Sequence, residues 1–132
     1  MLFRSTVLRV SPAGTVHHFA GRLLEDGVTG DGGAPLAARI GYPTALAWDP
    51  AGKRVLVGSS QTPRIRSIDL TDNRIGTLAG GGTDAEDGLV RDAQLSDVFG
   101  ILAEPGGGIL FTDGAGGRLR RLLPPRIEPH TP

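Results

Sequence analysis

The chain has no cysteine, and only one methionine, one tryptophan, one tyrosine and four phenylalanines in 132 residues. Without cysteine there is no disulfide, no thiolate metal site and no cysteine nucleophile. So few rings leave little on which nucleic-acid bases stack. Neither sign of charge is in excess, since 14 basic and 14 acidic side chains cancel. That balance argues against a generic binder of nucleic acid or of an acidic membrane surface. No apolar run approaches the ~18 residues that a membrane-spanning helix requires. The opening residues Met1-Leu2-Phe3-Arg4-Ser5-Thr6 lack the ~7–15-residue apolar stretch of an ordinary signal peptide, so none is expected. None of these features sets a compartment.

What the chain does have is glycine and proline, 21 and 10 residues, about double the usual share. They recur with a period. Asp49-Pro50 falls on Glu104-Pro105 at an offset of 55. Val55-Leu56-Val57 falls on Ile109-Leu110-Phe111, and Arg64-Ile65-Arg66-Ser67-Ile68 on Arg118-Leu119-Arg120-Arg121-Leu122, both at an offset of 54. Upstream, His18-Phe19-Ala20-Gly21 matches Thr77-Leu78-Ala79-Gly80, and Asp31-Gly32 matches Asp87-Gly88. Thr6-Val7-Leu8-Arg9-Val10 is a third, degenerate copy of the Arg-Ile-Arg segment. Glycine and proline are therefore punctuation between short apolar runs, and the chain reads as an ordered repeat.

Within one period the runs read as strands over 44–49, 54–59, 64–70 and 75–79. Asp49-Pro50-Ala51-Gly52 is a turn signal with proline second and glycine fourth. Thr71-Asp72-Asn73-Arg74 is another turn. Ile65 and Ile68 fall on opposite faces by the period-two rule, the pattern of a strand buried on both sides. Four such strands form an antiparallel meander. Longer loops, 21–43 and 80–98, separate the copies. A helical turn is expected at Leu36-Ala37-Ala38-Arg39-Ile40 and at its counterpart Asp92-Ala93-Gln94-Leu95. One meander cannot cover both of its faces, so neighbouring copies must stack. Radial stacking of four-stranded sheets is a β-propeller.

These segments resemble the NHL-repeat family of the bacterial and teneurin type. The matches are Phe19-Ala20-Gly21, Gly30-Asp31-Gly32-Gly33, Ala38-Arg39-Ile40, Pro43-Thr44-Ala45-Leu46-Ala47-Trp48-Asp49, Val55-Leu56-Val57 and Arg64-Ile65-Arg66-Ser67-Ile68. They span residues 6–123, nearly the whole chain. Two positions depart from the pattern. Ser59 stands where the family has an Asp that Asp113 keeps, and the Asn before Arg-Ile-Arg is replaced by Thr62-Pro63 and by Gly116-Gly117. The resemblance implies closed rings of about six blades. This chain holds fewer, so the expected fold is all-β: a partial β-propeller of about two four-stranded antiparallel blades plus an N-terminal half blade. Residues 1–123 are the propeller segment, with a half blade at 6–20, a full blade at 44–79 and a three-stranded blade at 99–123. The proline-rich tail 124–132 is not expected to supply the missing fourth strand, because its prolines remove ladder donors.

The candidate chemistry is sparse. Gly27-Val28-Thr29-Gly30-Asp31-Gly32-Gly33 lacks the Gly-Lys-Ser/Thr ending of a phosphate loop. Asp26 and Asp31, or Asp84, Glu86 and Asp87, offer oxygens to Ca²⁺ without the spacing of an EF-hand, and Asp before Gly is an ordinary turn pair. His17 and His18 point to opposite faces of a strand, and His130 sits in the tail. The resemblance brings in metal-dependent amidating lyases and lactonases. Both gather ligands from several blades, and no metal or other cofactor is expected here. No Gly-x-Ser-x-Gly elbow is present. Asp49 and Glu104 occupy equivalent corners and read as structural, and Trp48 reads as filler between blades.

Arg64, Arg66, Arg118, Arg120 and Arg121 form the best positive stripe. Arg64, Arg66, Arg118 and Arg120 are the partner-binding candidates, although arginine can equally tie a blade to a loop carboxylate. Some relatives in animals bind RNA on a basic propeller face, but nucleic acid is not the partner expected here. The expectation is a non-enzymatic segment of a larger propeller that offers an interaction or scaffold surface to a protein partner. Self-association through open blade edges would be a further consequence. The alternatives are a propeller hydrolase or lyase whose catalytic residues lie outside this chain, and an RNA-binding face.

Overall fold

The computed structural model describes residues 5–23, 25, 27–60, 63–82, 93–114, 117–123 and 126–129. It is all-β, with no α-helix among the described residues. In chain order the strands are β1 (Val7–Val10), β2 (Val16–Ala20), β3 (Val28–Thr29), β4 (Arg39–Ile40), β5 (Tyr42–Asp49) and β6 (Arg54–Ser60). They continue as β7 (Arg64–Asp69), β8 (Arg74–Gly80), β9 (Ile101–Ala103), β10 (Ile109–Asp113), β11 (Arg118–Leu123) and β12 (Arg126–Pro129). They form two four-stranded antiparallel sheets, β5-β6-β7-β8 and β9-β10-β11-β12, with two-stranded sheets β1-β2 and β3-β4 before them.

Turn chemistry sets the first meander. The Asp49 carboxylate accepts the Gly52 amide and the Arg54 guanidinium (2.7 Å), closing the β5–β6 turn. Lys53 there takes a left-handed φ of 50°. At the β7–β8 turn, Asp69 accepts the Thr71 amide and Asp72 the Arg74 amide, with Asn73 left-handed. Short polar side chains bonding two residues ahead are what make these Asx turns. The helical turn expected at 36–40 is a 3₁₀ turn over Pro35–Ala37 followed by β4. Its counterpart is not helical at Ala93 to Leu95, and Asp92 lies outside the described residues.

β6 explains how the sheets stack. Leu56 packs with Ile109, Phe111, Leu122 and Ile127 of the second four-stranded sheet, while Val57 packs with Val7, Ala20, Ile68 and Ile75 on the other side. A strand covered on both faces reads as a continuous apolar run, as Val55-Leu56-Val57 does. Each such side chain contributes roughly 1.5–3 kcal/mol by leaving water. Gly58 completes the contact, because a Cβ there would stand 2.6 Å from Val98 and 2.9 Å from Ile101. Gly58→Ala is therefore expected to cost about 1–3 kcal/mol by forcing the sheets apart. Urea denaturation would check it, and an unchanged midpoint would show that Val98 yields without cost.

One expectation is corrected. The second four-stranded sheet has four strands, not three, because tail residues 126–129 form β12, pairing Leu122 with Ile127 and Arg120 with Pro129. Ile127 is buried in the shared core. The prolines do not prevent this, because β12 is an edge strand that needs its amides on one side only.

Candidate functional site

The arginines sort by face. Residues 65 and 66 alternate. Ile65 enters the core between the four-stranded sheets, whereas Arg66 points towards the N-terminal side and is 1% exposed. Its guanidinium donates twice to Asp31 Oδ1 (3.2 and 2.6 Å), once to the Arg39 carbonyl (2.7 Å) and once to the Thr29 carbonyl (2.9 Å). The planar fork of arginine suits such convergence. The Thr77 hydroxyl donates to the second Asp31 oxygen. Arg66 therefore latches the β3–β4 loop onto the sheet. The loop in turn lays Gly32 and Gly33 along β8, where Gly32 donates to the Ile75 carbonyl and Ile75 to the Gly33 carbonyl.

In the second copy the corresponding Arg120 is 0% exposed and donates to Asp113 Oδ2 at 2.9 Å, with Arg118 at 3.2 Å on the same oxygen. The Arg120 cation lies 5.8 Å from the centre of the Phe111 ring, its cross-strand neighbour. Ser96 donates to Asp113 through both its hydroxyl and its amide. In the first copy Ser59 holds the Asp113 position and bonds the Arg64 amide instead. Arg64 rests its guanidinium against the backbone of Gly81, whose φ is 92°. Arg121 forms a two-point pair with Glu104. The partner-binding role expected of Arg66 and Arg120 is thus corrected: both are buried, Arg66 as a tie between sheet and loop and Arg120 as a tie between the neighbouring strands β10 and β11. Asp49 and Glu104 hold corners.

Burial pushes the carboxyls of Asp31 and Asp113 up, but their hydrogen bonds and arginine charges outweigh it. Thr77 and Arg66, with Arg64 more distantly, hold Asp31 below the ordinary 3.8, and Ser96 and Arg120 do the same for Asp113. A carboxyl depressed in the folded state stabilises it above the unfolded value, and that stability is lost as pH falls through the lower folded value. The chain is expected to lose stability once pH drops below about 4. Asp113→Asn should flatten that decline in thermal melts taken at successive pH values. A decline just as steep would remove Asp113 as a cause.

The described residues hold no group of three or more His, Asp or Glu side chains placed for a metal ion. His17 and His18 are exposed on β2. Asp26, Asp84, Glu86, Asp87 and His130 lie outside the described residues.

The open surfaces are apolar. By register Leu102, Leu110, Thr112, Leu119, Arg121 and Leu123 share the outer face of the second four-stranded sheet. Leu102 is 61% exposed, and Leu119 and Leu123 are exposed too. At the other end Trp48 is 51% exposed rather than filling the core. It lines a groove of about 360 Å³ with Leu8, Leu46, Val55 and Leu70. The sequence carried a signal of this, since Trp48 stands where the second copy has Ala103, packed against the core.

No family model and no curated protein matches the chain. Among solved structures it is similar to a protein of unknown function from Bacteroides thetaiotaomicron, with 20% sequence identity and a TM-score of 0.75. The match covers 96% of this chain and 31% of that one, so the chain spans about a third of that protein's length. At this identity the likeness shows the fold alone.

Proposed function

We propose that the chain is an arc of an NHL-type β-propeller, acting without catalysis as an interaction and assembly surface within a larger ring. The observation that carries this reading is the leucine row on the outer face of the second sheet, exposed at Leu102, Leu119 and Leu123. Within the chain the equivalent face of the first sheet, with Leu56 and Ile65 at the positions of Leu110 and Leu119, is buried against the next sheet. The same face repeated one sheet later calls for a further sheet of the same kind. The similarity to about a third of a longer chain supports it. The RNA-binding reading loses support because Arg66 and Arg120 are buried.

The test is mass in solution by sedimentation, with a second copy supplying the missing sheet. Self-association is expected, with reversion to monomer on Leu102→Asp or Leu119→Asp. Both residues are exposed, so neither change touches the core. A folded monomer at high concentration would overturn the reading, as would association that both variants leave intact.

A further inference from the structure

We propose that the slot between β1 and β5 accepts a β-hairpin of this same repeat, supplied by another segment of polypeptide. This deepens the assembly reading and rests on it. β1 pairs with β2 on one side, and no described strand pairs with its other edge. Two adjoining grooves of about 370 and 360 Å³ lie between β1 and β5, sharing Val7, Leu8 and Leu46, with Thr44 at one end and Trp48 at the other, and the second also reaches Phe19 of β2. Together they run along β1 over the face of β5.

The chain itself displays what fills such a slot. β1 and β2 correspond to β7 and β8 by repeat position: Val7 pairs with Ala20 as Ile65 does with Ala79, and a register shift follows each pair. The edge of β7 that corresponds to the open edge of β1 is taken by β6, antiparallel. The β5–β6 hairpin then covers the next sheet, with Ala47 and Leu56 packed in the same cluster as Ile101, Ala103, Ile109 and Phe111, and Gly58 admitting Val98 and Ile101. The counterparts of Ile101 and Ala103 at the N-terminal end are Leu46 and Trp48. They are 55% and 51% exposed. The occupant is therefore a two-stranded hairpin, antiparallel to β1, with small and aliphatic residues facing inwards. The bulk of Trp48 in place of Ala103 demands a small residue opposite it. Main-chain bonds to the β1 edge supply affinity, and the pocketed side chains supply specificity.

Trp48 is the only tryptophan of the chain, so its emission reports the slot directly. The probe is a peptide of residues 42–60 carrying Trp48→Phe, which removes its own indole. Tyr42 and Ser60 pair across the hairpin, so its ends can be joined to cut the ordering cost of binding. Titration into the full chain is expected to shift Trp48 emission to the blue in a saturable manner. A peptide with Leu56→Asp should bind at least about tenfold more weakly, the scale of one lost buried leucine. Leu46→Asp in the chain, at an exposed position, should have the same effect. No shift up to millimolar peptide, or an equal response to the Leu56→Asp peptide, would overturn the proposal. A chain that associates through Leu102 and Leu119 yet gives no shift would keep the assembly reading and reject the slot. A saturable shift in a chain that stays monomeric would reject self-association through the leucine face and leave the slot as the surface that takes up another segment of the repeat.

Discussion

Phe111→Ala should lower the free energy of unfolding by about 3–5 kcal/mol, the largest effect of any single change considered. The ring is buried in the cluster joining the four-stranded sheets, with Leu56, Ile65, Val98, Ile109 and Ile127. These neighbours come from different strands and loops, so no single movement closes the cavity left behind. A second loss follows from the cross-strand pair, because the buried Arg120 cation gives up the π face it lies over. That contact is worth about 0.5–2 kcal/mol and overlaps with the cavity cost. Urea unfolding should show a lower midpoint with an unchanged slope. Leu102→Ala, on the outer face of the same sheet, should change monomer stability by no more than about 0.5 kcal/mol. Equal losses from the two would mean that the sheets do not share the core described.

Arg66→Ala comes next, at about 2–4 kcal/mol. The figure follows from hydrogen bonds to a charged group at about 1.5–3 kcal/mol, plus the packing of the buried stem. It stays below the cost of breaking a fully buried ion pair, because the Asp31 side chain is 47% exposed and water solvates it once the guanidinium has gone. The loss should be local as well as global. Without the latch the loop carrying Thr29 and Asp31 loosens, and the amides of Gly32 and Ile75, which bridge loop and β8, should exchange with solvent faster than those of β6. Arg66→Lys should not restore them, since an ammonium lacks the fork that meets Asp31 and two carbonyls at once. Unchanged exchange at Gly32 and Ile75 would show that the loop is held by something else.

Much of the architecture was legible in the amino acids. The 54–55-residue repeat, the turn at Asp49-Pro50 and the doubly apolar run of β6 placed the strands of the first meander to within two residues. Proline misled in the tail, and the first strand of the meander begins earlier than its apolar run. Pro43 lies inside β5 and Pro129 ends β12, yet both strands are sheet edges, where a missing amide hydrogen costs no ladder bond on the open side. The arginines show a different limit. Alternation places Arg66 opposite Ile65, but which face is covered depends on the neighbouring layer, and residue spacing within one strand does not carry that. Trp48 shows the same limit from the other side: residue type says core, and exposure is decided by what lies across from it.

The two glycine contacts on β8 have a consequence for misassembly. Gly32 and Gly33 occupy main-chain groups of Ile75 that would otherwise template a stray strand from another molecule. Fibril-like growth along that rim must first peel the loop away, so the Arg66 latch also sets how readily the protein spoils on storage or heating.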